Sequence, residues 1–300
     1  MTRWSRDQQG ILLVILAMAC FTGVDGMVKY LGALLPLVVV MWFRYMFQMT
    51  ITAAVLLPRR GRRLFQTRRP WLQVLRGVSL VVSTSLAFLS LRYMPVAEFT
   101  AILTLTPMVI TLVSVRAMGE RVSWLRWLLL AGGLVGALMV IQPDKHDFEW
   151  IMLLPLALAL VLVSTGFQLL TSYLMRHDDP GTTNFLTGAV AFMLASMALP
   201  FFWETPVGVS LWVMVCLLGV VSTLGHYLMI LSYSLASPST LTPYLYFQIA
   251  FATLAGWLVF SQVPDRWSLL GIAMIAVCGV VNSWLAGPKP NGPLENEPAL

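Results

Sequence analysis

The sequence predicts an all-α integral membrane protein: ten transmembrane helices arranged as an inverted repeat of two five-helix halves. Three observations carry this. The chain has 300 residues, of which 58% are hydrophobic and only 11% charged, whereas soluble domains carry nearer 25% charged residues. Apolar runs of about 20 residues recur along the whole length, each long enough to span a bilayer core. Short matches also recur at one fixed offset between the two halves. There is no long polar stretch that would make a separate soluble domain.

Ten spans are expected at 10–31, 36–57, 71–92, 97–117, 124–141, 150–175, 182–203, 209–233, 238–260 and 266–285. Pro36, Pro58, Pro70, Pro95, Pro143, Pro180, Pro206, Pro238, Pro264 and Pro288 punctuate them, because proline interrupts a helix and biases the residue before it away from helical geometry. The first half is therefore 10–141 and the second 150–285, with a nine-residue cytoplasmic N-terminus, 1–9. The tail, 286–300, is rich in Pro, Asn and Glu, has nothing to bury and is expected to be disordered.

The net charge of +6 does not point to nucleic acid. Arg59, Arg60, Arg62, Arg63, Arg68 and Arg69 crowd one short loop between apolar runs, which reads as a cytoplasmic anchor. With both termini in the cytoplasm, fourteen of the nineteen Lys and Arg residues fall on or near the inner side, Arg76 among them, and only Lys29, Arg92, Lys145 and Arg266 fall outside. That bias fixes one orientation, in a bacterial-type inner membrane. Cys20, Cys216 and Cys278 lie in apolar spans at no metal-ligand spacing and read as small buried side chains. Ala17-Met18-Ala19 resembles a cleavage site, but the apolar run continues past it, so the first span is expected to be retained.

The repeat rests on particular matches. Thr22-Gly23 recurs as Thr165-Gly166, Tyr30-Leu31 as Tyr173-Leu174, and Trp124 and Gly136 as Trp267 and Gly279, all 143 residues later; Leu91-Arg-Tyr93 recurs as Leu231-Ser-Tyr233. Thr104-Leu-Thr-Pro107 and Thr240-Leu-Thr-Pro243 also look alike, but at an offset of 136 that conflicts with the Trp anchors, so this match is set aside. Five spans per half force the second half to enter from the opposite face. That architecture underlies many secondary transporters, whose sites lie near the midplane between repeats.

The charges inside the spans are the candidate site. Asp25 and Lys29 lie late in the first span and Arg44 in the second. A charge in hydrocarbon costs at least a few kcal/mol, so such residues face a protein interior or a wet cavity. At 1.5 Å per residue, Asp25 lies roughly 9 Å and Arg44 roughly 12 Å below the outer face. The expectation is that they pair, with Lys29 about one turn above Asp25. A buried ion pair that only fixes packing is the bland alternative. At the repeat offset Asp25 maps to Gln168 and Lys29 to Ser172. The charges thus belong to one half only, which favours function over repeat packing.

Further candidates are polar or aromatic. Gln48 sits one turn from Arg44. Gln168, Tyr173, Tyr244 and Gln248 add polar groups to spans 6 and 9, although such groups also hydrogen-bond between helices. Trp42, Tyr45 and Phe88 fall within spans and would line an aromatic wall or simply pack. Glu98, beside Arg92, reads as a rim salt bridge or a proton carrier. Asp25 and His226 are the other candidates for proton coupling, His226 because imidazole titrates near neutral pH, with core packing as its bland reading.

Enzyme chemistry fares badly. Only Asp25 is a deep aspartate, too few for an aspartyl protease. Gly77-Val-Ser79 and Gly208-Val-Ser210 lack the following Gly of a rhomboid-type serine site, and no metalloprotease or phosphate-loop motif occurs. Neither cofactor nor metal is expected. The expected partners are a small-molecule substrate, membrane lipids, and a proton or counter-substrate, with the chain a monomer or homodimer. A non-transporting receptor or a lipid-modifying enzyme is the alternative.

The stretches Leu105-Thr-Pro107 through Met118-Gly-Glu120-Arg-Val, then Ala131-Gly-Gly-Leu-Val-Gly136, with Tyr246-Phe-Gln-Ile-Ala-Phe through Ser261-Gln262 and Leu270-Gly-Ile-Ala in the second half, resemble the drug/metabolite transporter superfamily. The likeness is to the ten-helix permeases with two EamA-type halves, and covers about residues 10–285. The Gly-Glu ending of the fourth span is a fairly specific signature. The second half departs from the pattern, with Gln262 where the family usually keeps Glu and Gln248 where it often keeps Pro. The resemblance implies transport of a small metabolite by alternating access: an amino acid or derivative, a nucleotide-derived metabolite, a vitamin or an organic anion.

Overall fold

The computed structural model describes residues 5–93, 103, 105–118, 122–141, 154–260 and 265–285. Within them lie ten long helices and no strand: α1 (Arg6–Gly32), α2 (Leu37–Arg60), α3 (Pro70–Tyr93), α4 (Thr106–Met118), α5 (Trp124–Ile141), α6 (Leu154–Leu174), α7 (Pro180–Ala198), α8 (Val209–Leu235), α9 (Phe247–Phe260) and α10 (Arg266–Leu285). Five of them, α1, α2, α3, α7 and α8, are long and apolar enough to cross a membrane, and four further helices carry shorter apolar stretches. Glu98, the loop 142–150 and the C-terminal tail lie outside the described residues.

Local chemistry sets the boundaries. Ser5 caps α1 with a reciprocal box, its hydroxyl accepting from the Gln8 amide at 3.1 Å while Gln8 accepts from the Ser5 amide at 3.0 Å, which satisfies two otherwise orphaned donors. Asp179 caps α7, accepting from the amides of Gly181 and Thr182, with Pro180 at the first helical position, where no amide is needed. The ninth span departs from expectation. Instead of one helix over 238–260 there is a helical turn, Pro238–Leu241, then a 3-10 segment, Thr242–Tyr246, and only then α9. Pro243 has no amide to donate and its ring crowds the preceding turn, so the regular α ladder starts after it.

The packing interleaves the halves. α1 packs on α8, α3 on α6, α2 on both α7 and α8, α3 on α7, α1 on α9, α4 on α6, and α5 on α10. Replacing each helix by the one five places along the chain turns every pairing in this set into another member or into itself. Glycines allow the closest approaches. A Cβ at Gly136 of α5 would stand 2.8 Å from the Gly271 carbonyl oxygen of α10, so the two backbones touch, as small residues allow. Among the cysteines, Cys278 is buried as expected, but Cys216 is exposed and Cys20 half-buried; all three are free. Cys216 sits on the outward face of α8, where an apolar thiol needs no burial in protein.

Candidate functional site

On α1, Asp25 accepts a hydrogen bond from Gln248 Nε2 of α9 at 2.7 Å, and Thr22 Oγ1 donates to the Gln248 carbonyl at 3.2 Å. These bonds tie two helices far apart in sequence. Asp25 is nevertheless exposed, and a Cβ added at Gly23 or Gly26 would meet nothing within 4 Å. A Cβ added at Gly166 of α6 would likewise meet nothing within 4 Å. Asp25 thus keeps an accessible side beside its bond to Gln248, and a carboxylate is costly against lipid.

Arg44 of α2 is half-buried. Its Nε donates to Ser222 Oγ of α8 at 2.6 Å, and its Nη2 lies 2.9 Å from His226 Nε2. Arginine has donors only, so Nε2 must be the acceptor and His226 carries its proton on Nδ1. His226 is buried, with the Phe21 ring edge-on at 5.1 Å and the Phe167 ring at 6.5 Å. The expected direct pair of Asp25 with Arg44 does not form: the ion pair found among the described residues is Arg60–Asp179. The reason is topological. α8 wedges against both α1 and α2, with Phe47 seated over Gly219 and Cys20 and Phe21 over Gly225. Consecutive helices therefore do not pack along their length, and each charge finds its partner on a helix of the other half.

Gln48 turns away from Arg44 and joins α7. Its Nε2 donates to Asn184 Oδ1 at 2.9 Å, and Asn184 Nδ2 donates to Thr52 at 2.8 Å, all buried; Gln48 Oε1 has no partner. Tyr45 is buried, with its hydroxyl on Thr84 at 3.1 Å, and Trp42 donates to Ser196 at 2.8 Å. Gln168 accepts from Tyr233 at 2.8 Å. Tyr244, four residues before Gln248, is buried and donates to the Gly279 carbonyl of α10 at 2.9 Å. Tyr173 ends α6 with its ring 4.7 Å from that of His177. Phe88 is half-buried on α3. Lys29 lies one turn beyond Asp25 on α1. Among the described side chains, the structure thus gathers Asp25 with Gln248, and Arg44 with His226.

Sequence reasoning missed one residue. Arg76, assigned to the inner-side charge bias, is buried within α3. Its Nε donates to Thr171 Oγ1 of α6 at 2.8 Å, its Nη1 donates to Thr187 of α7, and its guanidinium lies 4.5 Å over the Phe167 ring. Its place six residues past Pro70 was the signal available: roughly 9 Å into the span.

The EamA-like transporter family matches residues 8–142. Over that stretch the chain resembles the EamA-type transporters. The relatives it resembles are transporters of small molecules, and its own long apolar helices fit a multi-pass membrane protein. It is 26% identical to an S-adenosylmethionine uptake transporter of Rickettsia felis, covering 89% of each chain. It is 28% identical to a riboflavin transporter of Vibrio cholerae, covering 90% of this chain and 91% of the other. A pseudopaline exporter of Pseudomonas aeruginosa is 26% identical over 92% of this chain and 96% of its own. A crystal structure at 20% identity superposes with a TM-score of 0.80, covering 92% of this chain and 97% of that one, which is a likeness of fold.

Proposed function

We propose that the chain is a secondary-active transporter, working by alternating access in a bacterial inner membrane with both termini cytoplasmic. Its substrate is a small polar metabolite with a carboxylate or phosphate, either an amino-acid derivative or a nucleotide-derived metabolite. One observation carries the reading: Asp25 and Arg44 have opposite charges, border accessible space and do not neutralise each other. A zwitterion spanning them would give its ammonium to Asp25 and its anion to Arg44, in the charge-assisted geometry that makes such bonds strong. S-adenosylmethionine, carried by one relative, bears both groups.

His226 offers the coupling route. A proton on Nε2 would abolish its bond to Arg44 and turn the guanidinium toward the cleft; Asp25 and Glu98 are the other candidate carriers. The test is uptake and efflux by reconstituted protein against amino acids, S-adenosylmethionine, riboflavin and organic acids. Wild type should carry members with an anionic group, and Arg44→Ala should not. Unchanged transport in Arg44→Ala would remove Arg44 from the site, and a wild type inert to every anionic member would overturn the reading.

A further inference from the structure

Arg76 is a buried cation with only neutral partners. Two are the hydroxyls of Thr171 and Thr187 and the third is the face of Phe167, and among the described residues no carboxylate lies within ion-pair distance. The threonines do not need it. Thr171 Oγ1 already donates to the Phe167 carbonyl and Thr187 Oγ1 to the Thr183 carbonyl, each at 2.7 Å. The arginine therefore rescues no orphaned donor, while burying a charge without a counter-charge costs several kcal/mol.

Its position explains the expense. Phe167 separates it from the cleft, with one part of the ring under the Arg76 guanidinium and its centroid 6.5 Å from that of His226, the partner of Arg44. In the other direction, Gln73 lies three residues back on the same face of α3. It donates to Asp178 at 2.8 Å and to Thr183 at 3.0 Å, and its Oε1 has no partner. Asp178 lines a cavity of about 480 Å³ that Arg60, Arg63 and Arg68 make basic. The nearby carboxylates are occupied: Asp179 by Arg60 and the α7 amides, Asp178 by Thr67, the Arg68 amide and Gln73. Neither is available to neutralise Arg76.

We propose that Arg76, held in place by Thr171 and Thr187, forms a second anion-binding subsite, for a carboxylate or phosphate, between Phe167 and the basic cavity. The missing counter-charge is the anionic group of a solute in transit, and Phe167 is the partition between this subsite and Arg44. The purpose assigned to the subsite rests on the transport reading; its detection does not. In membrane vesicles of either orientation carrying the full chain, phenylglyoxal labels accessible arginines, and peptide mass spectrometry reads the adduct on Arg76. The probes are inorganic phosphate and succinate, against chloride at matched ionic strength. Labelling is expected from the face bearing the basic cavity, and phosphate or succinate should suppress it by more than half where chloride does not. Protection by phosphate alone assigns a phosphate site and by succinate a carboxylate site. An Arg76 that is never labelled, or is labelled equally in all three salts, overturns the proposal. A wild type that transports nothing in the metabolite panel would sink the transport reading and leave this measurement intact.

Discussion

Arg44 and Arg76 are both arginines inside apolar helices, and both bond hydroxyls on helices of the second half, yet they live in different media. Arg44 is half-buried, shares its charge with Ser222 and His226, and stands near a carboxylate-bearing cleft. Arg76 is sealed among Thr171, Thr187 and Phe167. Enclosure, rather than distance along the helix, separates the two: Arg44 keeps an accessible side and Arg76 does not. The largest effect should come from the wet member. Arg44→Ala should lower transport by about 100-fold or more, since truncating one side of a buried charged contact costs about 2–5 kcal/mol. Its melting temperature should stay close to that of wild type, because solvent fills the vacated space. A large loss of stability instead would move Arg44 into the packed class.

The glycines beside the two arginines sharpen the contrast. Gly77, next to Arg76, faces Val190 of α7 so closely that a Cβ would stand 2.6 Å from the Val190 Cβ. Gly77→Ala should therefore cost about 1–3 kcal/mol through overpacking. Gly26, next to Asp25, meets nothing within 4 Å, and Gly26→Ala should gain up to about 1 kcal/mol from helix propensity alone. Thermal melts of the two purified variants check the pair. Equal effects would mean that the α1 cleft is as tightly packed as the α3–α7 contact.

A third variant separates charge from packing at Arg76 itself. Methionine is of similar length and apolar, and both threonines keep their own helix-carbonyl bonds without the guanidinium. Arg76→Met should be neutral or up to about 2 kcal/mol more stable, as when buried charges give way to apolar side chains, while transport slows. Such a trade of stability for activity marks a functional charge. A strongly destabilised Arg76→Met would show the guanidinium to be structural.

Much of this was legible in the chain. The helices follow from apolar runs and proline punctuation, and their ends agree with the sequence reading to within a few residues for α2, α3, α5 and α10. The charges that matter stood out because Asp25 and Arg44 interrupt hydrocarbon. What stayed hidden depended on three-dimensional neighbours. No pattern says that α8 would wedge against both α1 and α2, so the pairing of Asp25 with Arg44 looked natural and was wrong. The Thr-Leu-Thr-Pro match, set aside for its offset, marks a shared feature: Pro107 lies at the start of α4 and Pro243 just before α9, the helices five places apart. Arg76 escaped because a basic residue six positions into a span reads as part of the inner-side bias, and only the surrounding threonines show that it is enclosed.

A conservative variant tests the other pole of the cleft. Asp25→Asn keeps an acceptor for Gln248 Nε2 at the same place, so the α1–α9 contact at 2.7 Å and the fold should persist. What disappears is the negative charge. If the carboxylate holds a substrate ammonium, affinity for amine-bearing members of the panel should fall about tenfold, the equivalent of about 1.4 kcal/mol, while organic acids without an amine should bind as well or better. Competition binding on the reconstituted protein reads this directly. A uniform loss across both classes would mean that Asp25 serves the helix contact alone, and the zwitterion reading would reduce to an anion site built on Arg44.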